Sequence, residues 1–383
     1  MRIVIDARWC GAAAVGGIGR YTEQLIAGLQ RQDTTNEYIA LVRPGVSPIP
    51  SHPRWRSVVI PWRWYSVGEQ LGLPRLLRQL QPDLVHFPHF NVPLVCPVPY
   101  VVTIHDLLLQ QFPAVRPGWL NAMRYWPKHW VYRLVCRRAV NKAVRIITVS
   151  ATVREQLISY YKIRPERVVT IANAPVFFPP IDDDSAVLLR YNINRPFGLY
   201  IGNAYPHKNI KGLLSAWAIL SREWPLELVI AGPKSDWFEQ LPAQIAAAGL
   251  NTERVRVLSG LADSDIAALY RQANVLAQPS LAEGFGLTGL EAMAAGCPVV
   301  CNDLPVFHEV YASAAWYASS LQAEVFAAAL VEVIIKPAVS NILRAAGPQQ
   351  AKQFSWDRAA SAHQTLYHAC QKNKKSNGAS SAH

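Results

Sequence analysis

Short apolar runs alternate along the chain with longer stretches in which apolar positions recur every three or four residues. The short runs predict strands at 2–7, 38–42, 84–87, 100–104, 145–149 and 168–171, and the helical period fills 19–30, 68–80, 118–142 and 152–160. A polar break at 173–184, with Pro175, Pro179, Pro180 and three aspartates, interrupts the pattern. It restarts with strands at 198–202, 226–231, 255–258, 275–278 and 299–301, again with helices between them. Strands alternating with helices predict parallel sheets covered on both faces. Two such series make an α/β chain of two facing, doubly wound Rossmann-like lobes, with ligands expected at the carboxyl ends of strands in an interlobe cleft. The expected division is a first lobe over 1–175, a second over 176–354, a helix over 355–371 that crosses back to the first lobe, and a disordered polar tail over 372–383.

Composition narrows the class. With 383 residues, 51% of them hydrophobic, the chain is long enough for two ordinary cores. Its six cysteines show no CxxC spacing, which argues against a metal cluster or a disulfide framework and fits a reducing compartment. Met1-Arg2 runs straight into an apolar strand, so no signal peptide is expected. The stretch 90–115 lacks Lys and Arg, but its prolines and His105-Asp106 argue against a lipid-spanning helix. Charge is lopsided. Residues 1–175 carry 22 Lys and Arg against 9 Asp and Glu, a net +13; the remainder carries 16 against 17, a net −1. That asymmetry implies that the first lobe faces something anionic.

The candidate chemistry lies in a few loops. Residues 283–291 read Glu-Gly-Phe-Gly-Leu-Thr-Gly-Leu-Glu, and helix formers follow up to a Gly-Cys-Pro stop. Glycines ahead of a helix let backbone N–H groups approach an anion, which the helix dipole favours. Glu283 and Glu291 are then left to accept hydrogen bonds from hydroxyls, and phosphate plus polyol describes a sugar nucleotide. A second loop, Tyr200-Ile-Gly-Asn-Ala-Tyr-Pro-His-Lys-Asn209, presents Lys208, an ammonium suited to the charge that develops on a departing diphosphate. A third, Val15-Gly16-Gly17-Ile18-Gly19, follows the first strand. Its GG-x-G spacing, its distance from that strand and the missing acidic residue after the second strand argue against a dinucleotide fingerprint. Further strand ends deliver His105-Asp106 and His86-Phe87-Pro88-His89.

Together these segments resemble the retaining glycosyltransferases of group 1, family 4, over nearly the whole chain up to about residue 370. The resemblance implies a GT-B fold, with Glu283 and Glu291 as the family's paired glutamates. Glu283 would meet hydroxyls of the donor hexose and Glu291 the ribose, while Gly284, Phe285, Gly286 and Leu287 offer backbone to the diphosphate or sugar. Gly16 and Gly17 would meet the diphosphate from the first lobe. His105 would lie against the donor sugar. The strand ends themselves, apart from the resemblance, read Asp106, His86 and His89 as an acceptor-side wall. Lys208 keeps one basic position on the donor side; His207 stands where arginine is common, and Asn203 near another arginine position. The implied catalytic set is His105, Lys208 and Glu283. In such enzymes the departing phosphate is thought to deprotonate the incoming hydroxyl, so no protein base, cofactor or metal is expected. Asp182-Asp183-Asp184 imitates a metal-binding DxD, but it reads as a solvated acidic turn in the linker.

Residues 116–145 hold eight basic residues and no acidic one, interleaved with aromatics. That composition is interfacial. Trp119, Trp126, Lys128, Trp130, Arg137, Arg138 and Lys142 are expected to meet an anionic membrane surface, with Pro127 kinking or splitting the helix. Nucleic acid is not the expected partner, although bases stack on rings in such a setting. The expected function is hexosyl transfer, with mannose from GDP-mannose the first choice. The acceptor would be a lipid-linked or polysaccharide chain in cell-surface polysaccharide assembly, and the enzyme cytoplasmic and peripheral on the inner membrane face. The alternatives are a sugar-nucleotide epimerase of the same architecture and a non-enzymatic, basic RNA-binding protein.

Overall fold

The structure, a computed structural model, describes residues 1–11, 17–46, 52–112, 119–179, 183–193 and 196–379. The chain forms two compact units, Met1–Asn173 with Ser355–His383, and Ala174–Phe354. Among the described residues the first holds seven strands: β1 (Arg2–Asp6), β2 (Glu37–Val42), β3 (Trp55–Val59), β4 (Leu84–Phe87), β5 (Tyr100–Ile104), β6 (Arg145–Thr148) and β7 (Val168–Thr170). They are parallel and ordered β3-β2-β1-β4-β5-β6-β7. The second holds β8 (Phe197–Ile201), β9 (Glu227–Gly232), β10 (Val255–Ser259), β11 (Val275–Gln278), β12 (Val299–Asn302) and β13 (Trp316–Ala318), ordered β10-β9-β8-β11-β12-β13. Both orders are doubly wound. The winding reverses beside the first strand of each sheet, between β1 and β4 and between β8 and β11.

Central strands are legible because helices cover both of their faces. Ile3, Val4 and Ile5 of β1 have no exposed surface, and neither do Leu228, Val229 and Ile230 of β9. The two strands without a forecast are β3 and β13, each at a sheet edge. An edge strand pairs on one side only and needs no continuous apolar run. β3 carries Arg56 and Ser57, and β13 has only three residues.

The last helix, Trp356–Ala379, packs on the helix Gly17–Gln32 of the first unit. Close approach is possible because Gly28 has no side chain: a Cβ there would lie 2.9 Å from Ala360 Cβ and 3.2 Å from the Trp356 carbonyl. Arg31 pairs with Asp357 at 2.5 Å at the exposed edge of the contact. The helix continues through Lys372–Ala379, where a disordered tail was expected. Lysines are good helix formers, and a helix already nucleated by packing adds further turns at little cost. Residues 380–383 lie outside the described residues.

A buried polar chain stitches this helix to the sheet. Tyr21 Oη lies 2.8 Å from His363 Nε2 and 3.1 Å from Thr103 Oγ1. Thr103 Oγ1 is 2.8 Å from His86 Nε2, and His86 Nδ1 is 2.7 Å from Tyr367 Oη. One end sets the direction of every bond. His363 Nδ1 sits 2.7 Å from the Ala359 carbonyl, which can only accept, so Nδ1 carries the proton. Nε2 then accepts from Tyr21, Tyr21 from Thr103, Thr103 from His86, and His86 from Tyr367. Both imidazoles are neutral. Burial pushes His363 down to about 4, against a small upward pull from the Ala359 carbonyl.

An unfolded histidine titrates near 6.5, so between about pH 6.5 and 4 the unfolded chain takes up a proton that native His363 refuses. Stability contributed by this group is complete above that window and falls as pH falls through it, by roughly 3 kcal/mol at pH 4. Urea unfolding at several pH values measures the slope. Replacing His363 with Gln should reduce it by about one proton; an unchanged slope rules this histidine out.

Candidate active site

In the second unit the crevice of the sheet opens between the carboxyl ends of β8 and β11, and one charged residue follows each strand. After β8 the chain turns through a single 3-10 turn, Pro206–Lys208. Asn209, in the left-handed conformation at φ 53°, ends it and caps the helix Ile210–Leu220. After β11 comes Ser280-Leu281-Ala282-Glu283. The Leu281 N–H donates to the His207 carbonyl at 2.7 Å and ties the two turns together.

That tie brings Lys208 Nζ within 2.5 Å of Glu283 Oε1, with the two side chains only 18% and 11% exposed. Ser280 Oγ donates to the same carboxylate oxygen at 2.8 Å. Burial alone would raise the Glu283 carboxyl. The Lys208 ammonium, with help from Ser280, outweighs it and holds the carboxyl below its ordinary value. Glu283 is an anion at neutral pH and Lys208 is its counter-ion, so two roles expected to be separate begin as one pair. His207 supplies no second cation: burial, then the neighbouring ammonium, pushes it down to about 4. Asn203 is half-buried; its carbonyl accepts from Tyr200 Oη at 2.7 Å, and its Oδ1 from the Tyr205 N–H at 3.3 Å.

Gly286, in the left-handed region at φ 96°, opens the helix Leu287–Ala294, and no side chain caps it. Gly284 and Phe285 are buried beneath the turn, where the Phe285 ring meets Phe354 edge-on at 5.6 Å, while Leu287 is half-exposed. Glu291 is 6% exposed, with Tyr270 Oη 3.5 Å from its Oε2. The expected reason for the glycines was access for phosphate. The structure adds a second reason: a Cβ on Gly286 or Gly289 would lie 2.3 Å from Tyr311 Oη.

In the first unit the strand-end residues divide. His105, half-buried after β5, has Nε2 2.8 Å from the Pro88 carbonyl and lies edge-on to Tyr21. Since a carbonyl only accepts, Nε2 carries the proton, and Nδ1 is the acceptor. Burial pushes His105 down to about 4, so it is a neutral hydrogen-bond partner rather than an acid at pH 7. Asp106 Oδ1 accepts the Leu108 N–H at 3.0 Å and starts the next turn. His86 does not line an acceptor wall: it has no exposed surface, and both its nitrogens belong to the buried chain that reaches Tyr367. A four-residue strand buried on both faces leaves such a side chain no route to solvent. His89 is half-buried, 5.0 Å from the Trp9 ring. Gly17 opens the first helix, and Gly16 lies outside the described residues.

Two family models match the chain: Glycosyltransferase Family 4 over residues 15–174 and Glycosyl transferases group 1 over residues 189–352. The chain belongs to the group 1 glycosyltransferases. It is 30% identical over 287 residues to the O-antigen chain mannosyltransferase B of Escherichia coli, covering 73% of each chain. It is 26% identical over 276 residues to the O-antigen chain mannosyltransferase RfbU of Salmonella typhimurium strain LT2, covering 71% of this chain and 70% of the relative. In fold it matches the sucrose-phosphate synthase of Thermosynechococcus elongatus with a TM-score of 0.76 at 19% identity, over 96% of this chain and 98% of that one. This is the two-lobe, Rossmann-like architecture of a GT-B enzyme.

The structure of this glycosyltransferase also reveals residues that the sequence pattern did not single out. Arg8, directly after β1, has no exposed surface. Its Nε and Nη2 meet the Asp6 carboxylate at 2.7 and 2.6 Å, and Nη1 lies 2.5 Å from Glu69 Oε1, though not along an N–H direction. Burial would lower the Arg8 guanidinium, but Asp6 and then Glu69 hold it up. Above this knot Trp9 stacks on Trp64 at 4.2 Å, and Arg43 covers the Trp64 ring at 4.7 Å. The only sequence signal was Asp-Ala-Arg-Trp closing an apolar strand. Ser280 had a signal too, as a hydroxyl three residues before a key carboxylate.

The helix Trp119–Lys142 is continuous through Pro127, so the expected split does not occur. Pro127 is exposed, so the carbonyl deprived of its N–H partner sits on a solvated side. His129, Cys136, Ala139 and Val140 bury one face. On the other, Trp126 and Trp130 are 46% and 66% exposed, alongside Met123, Val131 and Leu134. Lys128, Arg137, Arg138 and Lys142 are exposed around this stripe, although Arg138 also donates to the Leu94 carbonyl. The Trp119 side chain lies outside what is described. In the linker, Asp182 likewise lies outside the described residues. Asp183 caps the helix Asp184–Arg190, and Asp184 pairs with Arg271 at 2.6 Å, so this segment is structural rather than simply solvated. Among the described residues no single helix is long and apolar enough to cross a membrane.

Proposed function

We propose that this glycosyltransferase moves mannose from GDP-mannose, with retention of configuration, to a lipid-linked saccharide at the inner face of a cytoplasmic membrane. The observation that carries this reading is the buried Lys208–Glu283 pair at the winding reversal of the second sheet. An incoming diphosphate competes for the ammonium, and Glu283 is released to accept hydrogen bonds from sugar hydroxyls. As the anomeric carbon–oxygen bond to the diphosphate breaks, Lys208 stabilises the charge left on the leaving oxygen. The acceptor hydroxyl bonds to the anomeric carbon on the same face, and its proton passes to the departing phosphate. No protein base and no metal take part. The names of the two O-antigen mannosyltransferases support the sugar and the polysaccharide setting.

Thermal shift with GDP-mannose, UDP-glucose and UDP-N-acetylglucosamine tests the donor. GDP-mannose should give the largest stabilisation, and a preference for a uridine donor would overturn the choice. Transfer from radiolabelled GDP-mannose into membrane lipid extracts tests the reaction, and NMR of the product's anomeric centre tests retention.

Membrane attachment rests on the basic, tryptophan-bearing face of the helix Trp119–Lys142. Each basic residue near an anionic surface contributes about 1 kcal/mol. Changing Lys128, Arg137 and Lys142 to Gln should therefore weaken flotation with phosphatidylglycerol vesicles by about a hundredfold. Flotation equal to wild type would remove the membrane from this reading.

A further inference from the structure

We infer that Tyr311 is a positioning residue for the donor: its hydroxyl clamps the Gly286 carbonyl and holds the turn that offers backbone to the diphosphate. The inference rests on the donor-site reading above. Tyr311 ends the helix Pro305–Tyr311, has no exposed surface, and lies 2.6 Å from the Gly286 carbonyl oxygen and 2.7 Å from Gln278 Oε1. A hydroxyl has one proton, so it cannot donate fully to two oxygens. Turning the Gln278 amide over resolves the conflict: its NH2 donates to Tyr311, and the hydroxyl proton goes to Gly286.

Three further observations show that the surroundings are built for this contact. Gly286 is left-handed at φ 96°, and a Cβ at Gly286 or Gly289 would overlap the hydroxyl at 2.3 Å, so the glycines make room for the clamp. Phe307, one turn earlier on the same helix, stacks on the Tyr311 ring at 5.0 Å and would itself lie 3.0 Å from a Cβ on Gly286. Directly after Tyr311, Ala312 holds φ 47° and ψ −126°, a conformation that a non-glycine residue adopts only under constraint. Tyr317 Oη, 2.7 Å from the Ala312 carbonyl, and Gln350 Nε2, which donates to the Val310 carbonyl at 2.8 Å, supply that constraint. The chain thus leaves the helix along a strained path that aims one hydroxyl at one carbonyl.

Three variants test the clamp: Tyr311→Phe, Gln278→Met, and the two combined. Titration calorimetry with GDP, and with UDP in parallel, reads the affinity, and thermal melts read folding. Tyr311→Phe should weaken nucleoside diphosphate binding about tenfold. In the transfer assay it should raise KM for GDP-mannose by a similar factor, with kcat within about threefold of wild type. Gln278→Met leaves the clamp in place and should bind as wild type does. The double variant has no orphaned amide and should melt closer to wild type than Tyr311→Phe, yet still bind weakly. Affinity that follows melting temperature across the series, or a Tyr311→Phe variant with wild-type affinity, overturns the clamp. If the wild-type protein itself binds neither GDP nor UDP, it is the donor-site reading that fails.

Discussion

Replacing Lys208 with Met is expected to lower kcat for sugar transfer by about a thousandfold, the upper range for loss of one fixed electrostatic donor to a developing anion. Methionine keeps the length and apolar stem of the side chain and removes only its charge. The same change leaves Glu283 buried without its counter-ion, and uncompensated buried charges cost about 3–5 kcal/mol. Its carboxyl, now held low mainly by Lys208, should move up, so the variant should be relatively more stable under mildly acidic conditions, where Glu283 takes a proton. Adding Glu283→Gln removes the stranded charge. The double variant should regain most of the stability and none of the activity, because the ammonium is gone and the carboxylate has become a neutral amide with one accepting oxygen. Urea midpoints and kcat for the two single variants and the double variant separate these effects. A Lys208→Met enzyme with kcat near wild type removes the ammonium from the chemistry. A double variant as unstable as Lys208→Met removes the pair from the fold.

The second large effect is expected from Gly232→Ala, a change that adds one methyl group. The carboxyl ends of β8 and β9 approach so closely that a Cβ on Gly232 would lie 2.0 Å from the Gly202 carbonyl oxygen and 2.8 Å from the Phe238 ring. Gly202 cannot retreat freely, because its N–H donates to the Ala231 carbonyl at 2.9 Å. The nearest obstacle is backbone, so the strands must part. A cost of about 3 kcal/mol, at the upper end for overpacking, corresponds to a fall of roughly 6–12 °C in the melting temperature of a unit this size. Function should suffer as well, since Gly202 begins the turn that ends at Lys208. Displacement on the scale of an ångström at a catalytic group costs about a hundredfold in rate. Calorimetry and kcat/KM at a temperature where the variant is fully folded distinguish the two losses; a melt within 2 °C of wild type would contradict the packing argument.

Charged residues at strand ends, the double βα series and the Glu283–Glu291 spacing were all visible in the sequence, because each is a local pattern. Strands covered on both faces must be apolar throughout, and a helix stop must carry its glycine. Lys208 and Glu283 could therefore be named before any geometry was known, although they are far apart along the chain. Their contact could not. It depends on the winding that sets β8 beside β11, and on one hydrogen bond from Leu281 to the His207 carbonyl that draws the two turns together.

Histidines show the limit most clearly. His86 and His105 both follow from apolar strands and read alike in the sequence. Yet His86 is sealed between Thr103 and Tyr367, while His105 is only half-buried. Only the packing of the closing helix over β4 and β5 makes that difference. Arg8 is similar: a charge beside an apolar strand reads as surface, and its burial depends on Glu69 arriving from another element.

By itself, then, the sequence determined the class of fold, the family, the unequal charge of the two halves and the residue types that carry chemistry. Secondary structure and motif spacing are written in neighbours along the chain. Tertiary structure alone decided which of those residues meet, which are buried neutral, and why Gly286, Gly289 and Gly232 carry no side chain. Those outcomes depend on atoms from distant segments competing for the same few ångströms, and no local pattern records that competition.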